Sequence, residues 1–407
     1  MSPRVVILAD DLSGAADCAA ACHRAGLDTR VCLAPQALCD EAEAIALDLD
    51  SRALAPAEAL ARTLAVEVGP VINRGALYRK IDSTLRGHVA LDIAATLQIA
   101  GPSAFAVVCP AYPATGRTVK DGQVYVGGQR LQDTEIWALG GQGSTDLKTL
   151  LTEAGLEPVG LDLEVVRGPR LRQAMEAARA EGAQAVVCDA ETEDDLQAIV
   201  EAGLVLEEVV WAGSGGLTIP LARTLSPTGG PQLRPVARRA GPTLVVVGSA
   251  SSISRRQLAH LDEDPRVQTL LVPPSVLLEG PEGAGWRPAS RAIVAGVGKP
   301  GKDTVALAID PAAPVDPATG PALAAALGVL AGRQLGRFGA LVATGGETAR
   351  FILAAAGVEA LCIRRELEPG VVLSTAGALP VVTKAGAFGG PQSLVGAVQA
   401  LRVLPLA

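Results

Sequence analysis

Asp10 and Asp11 stand side by side at the end of the apolar run VVILA, and Leu12, Ser13, Gly14, Ala15, Ala16 and Asp17 follow in a helix-forming stretch. Paired acids at the carboxyl end of a strand lie where open α/β sheets bind ligands. A carboxylate there can take a proton from a substrate hydroxyl or hold that hydroxyl in place. One acid alone would serve as the cap of the following helix, but a cap does not need both. Asp50, Ser51 and Arg52 follow a second apolar run, and LYRKIDSTLRGHV packs Arg79, Lys80, Asp82, Ser83, Thr84, Arg86, Gly87 and His88 into what reads as a short turn. Acid, base and hydroxyls gathered beside a glycine suit a small polar ligand, and a guanidinium binds a carboxylate in two-pronged fashion. PAYPATGRTVKDGQVYVGGQRL then makes a long polar excursion through Arg117, Thr118, Lys120, Asp121 and Gly122. Excursions of this length are often lids or binding loops; its distal part, Gln123 to Arg130, reads as a surface hairpin.

A different chemistry is written in the second half. TLVVVGSASSISRRQLAHL is a strand, a turn of small residues (Gly248, Ser249, Ala250, Ser251, Ser252) and a helix. Free backbone N–H groups and the positive end of a helix converge in such a turn, which suits phosphate. ALVATGGETARFILAAAG repeats the device with Gly345, Gly346, Glu347 and Thr348, and PVVTKAGAFGG adds Lys384, Gly386, Gly389 and Gly390. One such turn is a weak signal, whereas three together point to a polyphosphate. GVGKPGKDT falls one residue short of the phosphate-loop pattern, with Asp303 where Ser or Thr must meet Mg²⁺, and TVALAID after it reads as a strand rather than the required helix. AGSGGL lacks the full spacing of a dinucleotide fingerprint.

The elements that must hold these residues are short Val/Ile/Leu runs alternating with Ala-rich stretches of helical period, the pattern of crossover units on a largely parallel sheet. Strands are expected around Val5 to Ala9, Thr29 to Leu33, Ala44 to Leu49, Phe105 to Cys109, Ala185 to Cys188 and Val209 to Ala212. A second series is expected around Leu244 to Val247, Thr269 to Val272, Thr304 to Ile309, Ala340 to Ala343, Val371 to Leu373 and Val381 to Thr383. The Pro/Gly/Arg-rich stretch from Leu225 to Thr243 has neither period and reads as a linker. The expected division is a substrate-binding domain over 1–228, a linker over 229–242 and a nucleotide-binding domain over 243–407, in line with a length of 407 residues. Pro273 to Lys302 reads as surface loops with a short element inside. Hydrophobic residues make up 49% of the chain and aromatics 2%, so Ala, Val, Leu and Ile must fill the cores. A net charge of -8 argues against nucleic acid or an anionic membrane as the main partner. Seven cysteines without paired metal-ligand spacing read as reduced core thiols, and Cys18, Cys22 and His23 make a poor metal set without a second cluster. No apolar run reaches membrane-spanning length, and MSPRVVILADD enters a strand without a leader, so the cytoplasm is the expected location.

Taken in order, these segments resemble the four-carbon acid sugar kinase family over nearly the whole chain. The resemblance rests on ADDLSGAAD (family ADD-[LF]-[ST]-GA-x-D), DSRAL, KIDSTLRG, PAYPATGRTVKDG, AGSGGL, GSAS, TGGETA and TKAGAFG. It departs at Glu347, where the family often has Asp, and after Lys384, where Ala385, Gly386 and Ala387 replace Ser-Gly-Asn. Neither change removes a backbone N–H. The resemblance implies two α/β domains, each a largely parallel or mixed sheet flanked by helices, with the active site in the interdomain cleft. It implies transfer of a phosphoryl group from ATP, with Mg²⁺, to the terminal hydroxyl of threonate, erythronate or 3-oxo-tetronate. Asp10, Asp11 and Asp82 are then the catalytic candidates, and Ser51, Arg52, Lys80, Ser83, Arg86 and Arg117 the substrate-binding ones. Ser249, Ser251, Gly345, Gly346, Glu347, Thr348, Lys384, Gly386 and Gly389 would surround the nucleotide, while the metal ligands stay open. The partner is a small sugar acid, and a homodimer is the assembly to test. A non-catalytic sensor of the same ligands, or a kinase of another small hydroxy acid, are the alternatives.

Overall fold

The computed structural model describes residues 3–34, 42–69, 75–141, 143–226, 230, 235–248, 251–312, 316, 319–386 and 389–406. Its contacts divide the chain into two units, one of Met1–Arg30 with Ala34–Gln232, the other of Val31–Leu33 with Leu233–Ala407. In the first half the strands are β1 (Val5–Ala9), β2 (Thr29–Cys32), β3 (Ala44–Asp48), β4 (Ala76–Lys80), β5 (Phe105–Cys109), β6 (Arg117–Lys120), β7 (Gln123–Val126), β8 (Gln129–Arg130), β9 (Pro158–Leu161), β10 (Ala185–Cys188) and β11 (Val209–Gly213). The helices among them are α1 (Leu12–Arg24), α2 (Pro56–Leu64), α3 (Val89–Ala100), α4 (Glu135–Gly140), α5 (Leu147–Glu153), α6 (Leu163–Val166), α7 (Leu171–Ala180), α8 (Glu193–Gly203) and α9 (Gly215–Leu225). Continuous apolar runs such as VVILA and FAVVC are buried along their whole length, as expected for parallel strands covered on both faces. The sheet order is β3-β1-β4-β11-β5-β10-β9, parallel at every pairing. Its register aligns the carboxyl ends: Ala9 lies opposite Asp48 and Lys80, and Gly213 opposite Lys80 and Cys109. Loops that follow β1, β3, β4, β5 and β11 therefore emerge at one edge.

The second unit holds β12 (Thr243–Val247), β13 (Val267–Val272), β14 (Thr304–Ile309), β15 (Ala340–Thr344), β16 (Ala360–Glu368), β17 (Val371–Ala376) and β18 (Leu379–Lys384). Its helices are α10 (Ser252–Asp262), α11 (Pro274–Glu279), α12 (Trp286–Val297), α13 (Gly320–Gly332), α14 (Gly346–Ala355) and α15 (Ser393–Arg402). The strand order is β13-β14-β12-β15-β18-β17-β16, parallel as far as β18 and antiparallel beyond it. Val245, Ala306, Val342, Val382, Leu394 and Val398 pack in its core, the aliphatic filling that the scarcity of aromatics dictates.

Three segments differ from their sequence reading. Arg79 and Lys80 lie in β4, a fully buried central strand, and not in a turn; only Ile81 to His88 form the turn. The strand was hidden because its charged side chains find their partners outside it: Arg79, wholly buried, meets Asp92 of α3 at 2.6 Å, and the Lys80 ammonium donates to the Ile81 carbonyl at 2.9 Å. Pro273 to Lys302 is largely helical, as α11 and α12, the latter anchored by buried Trp286 and Ile293. The polar excursion is an antiparallel meander β6-β7-β8, so Gln123 to Arg130 is a hairpin as read, but Arg117 to Lys120 is also a strand. Its Asp121-Gly122 corner has positive φ at both residues, the geometry of a tight hairpin turn. Asp189 pins that corner by accepting from both backbone N–H groups, at 2.6 and 2.9 Å. Of the expected linker, 229 and 231–234 lie outside the described residues; beyond them, Arg238 N–H donates to the Pro405 carbonyl at 2.9 Å, within the second unit.

Candidate active site

At the carboxyl edge of the first sheet the candidate side chains form one charge network. Arg52 grips Asp10 with two parallel bonds, Nε to Oδ2 at 2.7 Å and Nη2 to Oδ1 at 2.8 Å, and reaches Asp11 Oδ2 with Nη1 at 2.6 Å. Asp11 also caps α1, its Oδ1 accepting from Gly14 N–H at 2.8 Å. The two acids thus divide the labour: Asp11 starts the helix, and Asp10, almost wholly buried, anchors the guanidinium. Asp82 is gripped in the same two-pronged way by Arg86, at 2.9 Å for each bond, and also accepts from the Thr84 hydroxyl. Arg52 Nη2 lies 4.0 Å from Asp82 Oδ1, linking the two clamps. Gly87 closes the turn at φ +84, and a Cβ there would come within 2.8 Å of Asp10 Oδ2, so both conformation and space demand glycine.

Burial pushes the Asp82 carboxyl up, but the Arg86, Arg52 and Lys80 charges outweigh it and hold the group far below the usual carboxylate range. Burial likewise works against the Arg52 charge, and Asp11, Asp10 and Asp82 reverse the effect. Arg117 donates from Nη1 to the Thr115 carbonyl at 2.6 Å while its buried Nε has no hydrogen-bond partner. Burial lowers its pKa, and it feels the charges of Asp82 and Arg86, which places it in the same cluster. Ser51 is fully buried with an unpartnered hydroxyl, and its N–H donates to the Asp10 carbonyl. Ser83 keeps partial exposure in the turn after β4. Lys80 runs beneath the first turn of α1, where a Cβ on Gly14 would sit 3.2 Å from its Nζ.

Asp17 is the acid that the sequence reading left without a role. It lies one and a half turns into α1, keeps some solvent exposure, and presses on Gly215 at the start of α9 so closely that a Cβ there would collide with its Oδ2. Burial raises its pKa, with Lys80 and Arg24 opposing and Asp11 adding to the rise. The i, i+6 offset from Asp11 gave no signal by itself; the signal lay in the adjacent glycines of AGSGGL, which let α9 approach the acid and Tyr112.

In the second unit the strands that lead into the three glycine turns end side by side. Val247, Thr344 and Lys384 end β12, β15 and β18 in register on adjacent strands, so the three turns span about 10 Å at strand spacing. Gly345, at φ +88, caps α14, whose first turn holds Gly346, Glu347 and Thr348. Thr348 packs on Gly248 so tightly that no Cβ would fit there. Ser251 caps α10, and the Ser254 hydroxyl donates to the Gly386 carbonyl at 2.9 Å. Lys384 is almost completely buried, its Nζ donating to the Ala385 and Gly386 carbonyls, and burial pushes its pKa down to about 8 against the pull of Glu368. Gly389, at φ +84, closes on Ser393 and Glu368. Ser249 lies outside the described residues, as do 387 and 388 of the last turn. A bare turn of N–H groups, an orphaned buried Thr344 hydroxyl and one ammonium suit a polyphosphate. Among the described residues no cluster of three or more His, Cys, Asp or Glu could hold a metal; Mg²⁺ commonly binds through phosphate oxygens, water and one or two carboxylates. The described cysteines form no disulfide with one another, and burial pushes the Cys18 thiol up to about 12. No helix among the described residues is long and apolar enough to cross a membrane.

Residues 5–221 match the family of sugar-binding N-terminal domains and residues 244–394 the family of nucleotide-binding C-terminal domains. A D-threonate kinase of Cupriavidus necator is 46% identical over 97% of both chains, and a D-threonate kinase of Bordetella bronchiseptica 37% identical over 98% of both. The fold is shared with a solved Haemophilus influenzae protein, at a TM-score of 0.75 and 21% identity over 97% of this chain and 100% of the other. With one family matched over more than half its length and the other over most of the remainder, the chain belongs to the kinase family that joins a sugar-binding N-terminal domain to a nucleotide-binding C-terminal domain.

Proposed function

We propose that the protein is an ATP-dependent kinase that phosphorylates the terminal hydroxyl of a four-carbon sugar acid, with D-threonate first among the candidates. The observation that carries this reading is the presence of two chemically distinct edges, one of carboxylates and guanidinium groups in the first unit and one of glycine turns in the second, in a chain 46% identical to a D-threonate kinase. Phosphoryl transfer asks the protein for in-line positioning, charge neutralisation and a proton acceptor. The first edge supplies the acceptor side. Arg86, half exposed, and Arg117, with an unpartnered Nε, take the substrate carboxylate, and Lys80, Ser51 and Ser83 complete that pocket. Arg52 acts mainly by holding Asp10 and Asp11 in place, since three of its N–H groups are committed to them.

The clamps also order the candidates for proton acceptor. Asp82 is so strongly held in its ionised form that it is the weakest base of the group and serves to orient a hydroxyl. Asp10 and Asp11 remain, and Asp17 joins them because its pKa is moved upward toward the range where a carboxylate accepts protons well. As the substrate oxygen forms its bond to phosphorus, the bond to the ADP oxygen breaks and the hydroxyl proton passes to one of these acids. On the nucleotide side Gly345, Gly346, Thr348, Ser249, Ser251, Lys384, Gly386 and Gly389 hold the phosphates, and Glu347, in the first turn of α14, would hold Mg²⁺. The metal's contribution is to neutralise charge on the phosphate oxygens.

The test is ADP release measured with D- and L-threonate, D- and L-erythronate and 3-oxo-tetronate. D-threonate should give the highest kcat/KM. Absence of substrate-dependent turnover with every acid would refute the assignment, and preference for another stereoisomer would correct the substrate alone.

A further inference from the structure

The loop after β3 and the turn after β4 belong to strands that flank β1 without pairing with each other. What joins them has to pass over the carboxyl end of β1, where Asp10 and Asp11 lie. The β3 loop is fixed at its start: Arg62 of α2 donates from Nη1 to the Leu49 and Asp50 carbonyls at 3.0 and 2.8 Å, and the Ser51 and Arg52 N–H groups donate to the Asp10 carbonyl at 2.9 and 3.2 Å. Its far end is held from the β4 turn. His88 Nε2 lies 2.8 Å from the Leu54 carbonyl oxygen, and because a carbonyl can only accept, Nε2 carries the hydrogen and donates it. A second bridge between loop and turn, Arg52 Nη2 to Asp82 Oδ1, measures 4.0 Å, too long for a hydrogen bond.

His88 is half-buried and precedes α3, but its side chain makes no capping bond there, so the imidazole is not needed to start the helix. Gly87 beside it packs against the Arg52 stem, a Cβ there lying 3.5 Å from Arg52 Cγ. The consequence is chemical. Three N–H groups of Arg52 fix Asp10 and Asp11, whereas Asp82 and Arg86 belong to the turn, so the spacing of loop and turn sets the acids against the groups that meet the substrate. A displacement of about 1 Å at a reacting centre can cost about a hundredfold in rate. We propose that His88 is a positioning residue of the transfer: its bond to the Leu54 carbonyl latches the Arg52 loop to the Asp82–Arg86 turn and so aims the proton-accepting acids at the substrate hydroxyl. The inference rests on the reading of the first unit as the acceptor side.

Two reciprocal variants of the full chain test the latch. His88→Phe keeps a planar ring and removes the donor; His88→Gln gives up the ring but carries an amide N–H as many bonds from Cα as Nε2. With the acid that wild type turns over fastest, kcat should fall by about ten- to a hundredfold in His88→Phe and stay within about threefold of wild type in His88→Gln. KM for the acid should change by less than about threefold in both, since Arg86 and Arg117 are untouched, and ADP affinity by calorimetry should match wild type. Thermal unfolding should fall by no more than about 4 °C, the scale of one lost hydrogen bond in a domain of this size. Fast turnover in His88→Phe beside slow turnover in His88→Gln would assign the residue to packing and overturn the latch, as would equal rates in the two variants. A loss carried by KM alone, or a much larger fall in unfolding temperature, would overturn the positioning role as well. Absence of wild-type turnover with every acid refutes the kinase reading and this role with it, whereas wild-type kcat in His88→Phe overturns the latch and leaves that reading standing.

Discussion

The buried ammonium of Lys384 should make nucleotide affinity fall as pH rises through about 8. Lys384 ends β18 directly opposite Thr344, and its own carbonyl accepts from Gly345 N–H at 2.8 Å, so its charge stands at the glycine turn proposed for phosphate. Burial pushes its pKa down to about 8, and only the protonated amine neutralises a phosphate. The affinity of a ligand that needs one protonation state is reduced by the fraction of protein in that state. With a pKa of about 8 that fraction is about nine-tenths at pH 7 and about one-tenth at pH 9, so the dissociation constant for ADP should rise roughly tenfold, or about 1.4 kcal/mol.

The assay is ADP titration across that range in wild type, Lys384→Arg and Lys384→Met. Arginine stays charged throughout, so its profile should be flat, and methionine should be flat at the weak alkaline level. Stability supplies a second readout with its own sign. A lysine whose folded pKa lies below its unfolded value binds fewer protons when folded, so burial of its charge costs stability below pH 8. That cost fades as pH rises from about 8 toward the ordinary lysine value of about 10.4, and wild type should gain stability relative to Lys384→Met over that window. Equal ADP affinity at pH 7 and 9 in wild type would refute the placement of this charge at the phosphates.

The remaining predictions concern the first unit. Arg52→Met strips the cation from Asp10 and Asp11 and should lower the unfolding free energy by about 3–5 kcal/mol, as removal of one partner from a buried pair does; chemical denaturation with a loss under about 1 kcal/mol would show that the clamp is not structural. Asp11→Asn keeps the helix cap, because Asn caps as well as Asp, so the protein should fold and bind ADP normally while turnover falls by about 10²-fold or more, the usual scale of a lost acid–base group. Lost ADP affinity there would place Asp11 in the wrong site. Gly215→Ala drives a methyl into Asp17; kcat should fall with ADP affinity intact, and unchanged kcat would remove Asp17 from the list of proton acceptors.

How much of this was legible in the sequence depends on whether the determinant is local or paired. Runs such as VVILA and FAVVC announce themselves as strands because burial on both faces leaves no polar position. The glycine turns are local as well, since a strand, two or three small residues and a helix suffice to converge N–H groups. β4 was not legible: ALYRK puts two charges into a central strand, and partners far away in the sequence, Asp92 on α3 and the Thr63 hydroxyl on α2, make Arg79 tolerable there. α12 escaped because its Gly/Pro-rich approach and its own proline resemble loop, whereas buried Trp286 and Ile293 decide for helix.

The clamps show most clearly where sequence reasoning stops. Asp10, Asp11, Arg52, Asp82 and Arg86 were all recognisable as polar residues at strand ends, but their residue types permit several divisions of labour. Arg52 pairs with acids 41 and 42 positions earlier only because β1 lies next to β3 with Ala9 opposite Asp48. A one-residue change in that register would move the guanidinium by about 3.3 Å along the strand, enough to break every bond in the clamp. The same register sets Lys80 beside Ala9, so the strands on either side of β1 bring a guanidinium and an ammonium to its carboxyl end. Arg52 is spent on holding acids, whereas Arg117, at the start of β6 in the separate meander, keeps an unpartnered Nε. A guanidinium motif at a strand end therefore identifies a site, while the pairing of its strand determines whether it binds the substrate or positions the groups that do.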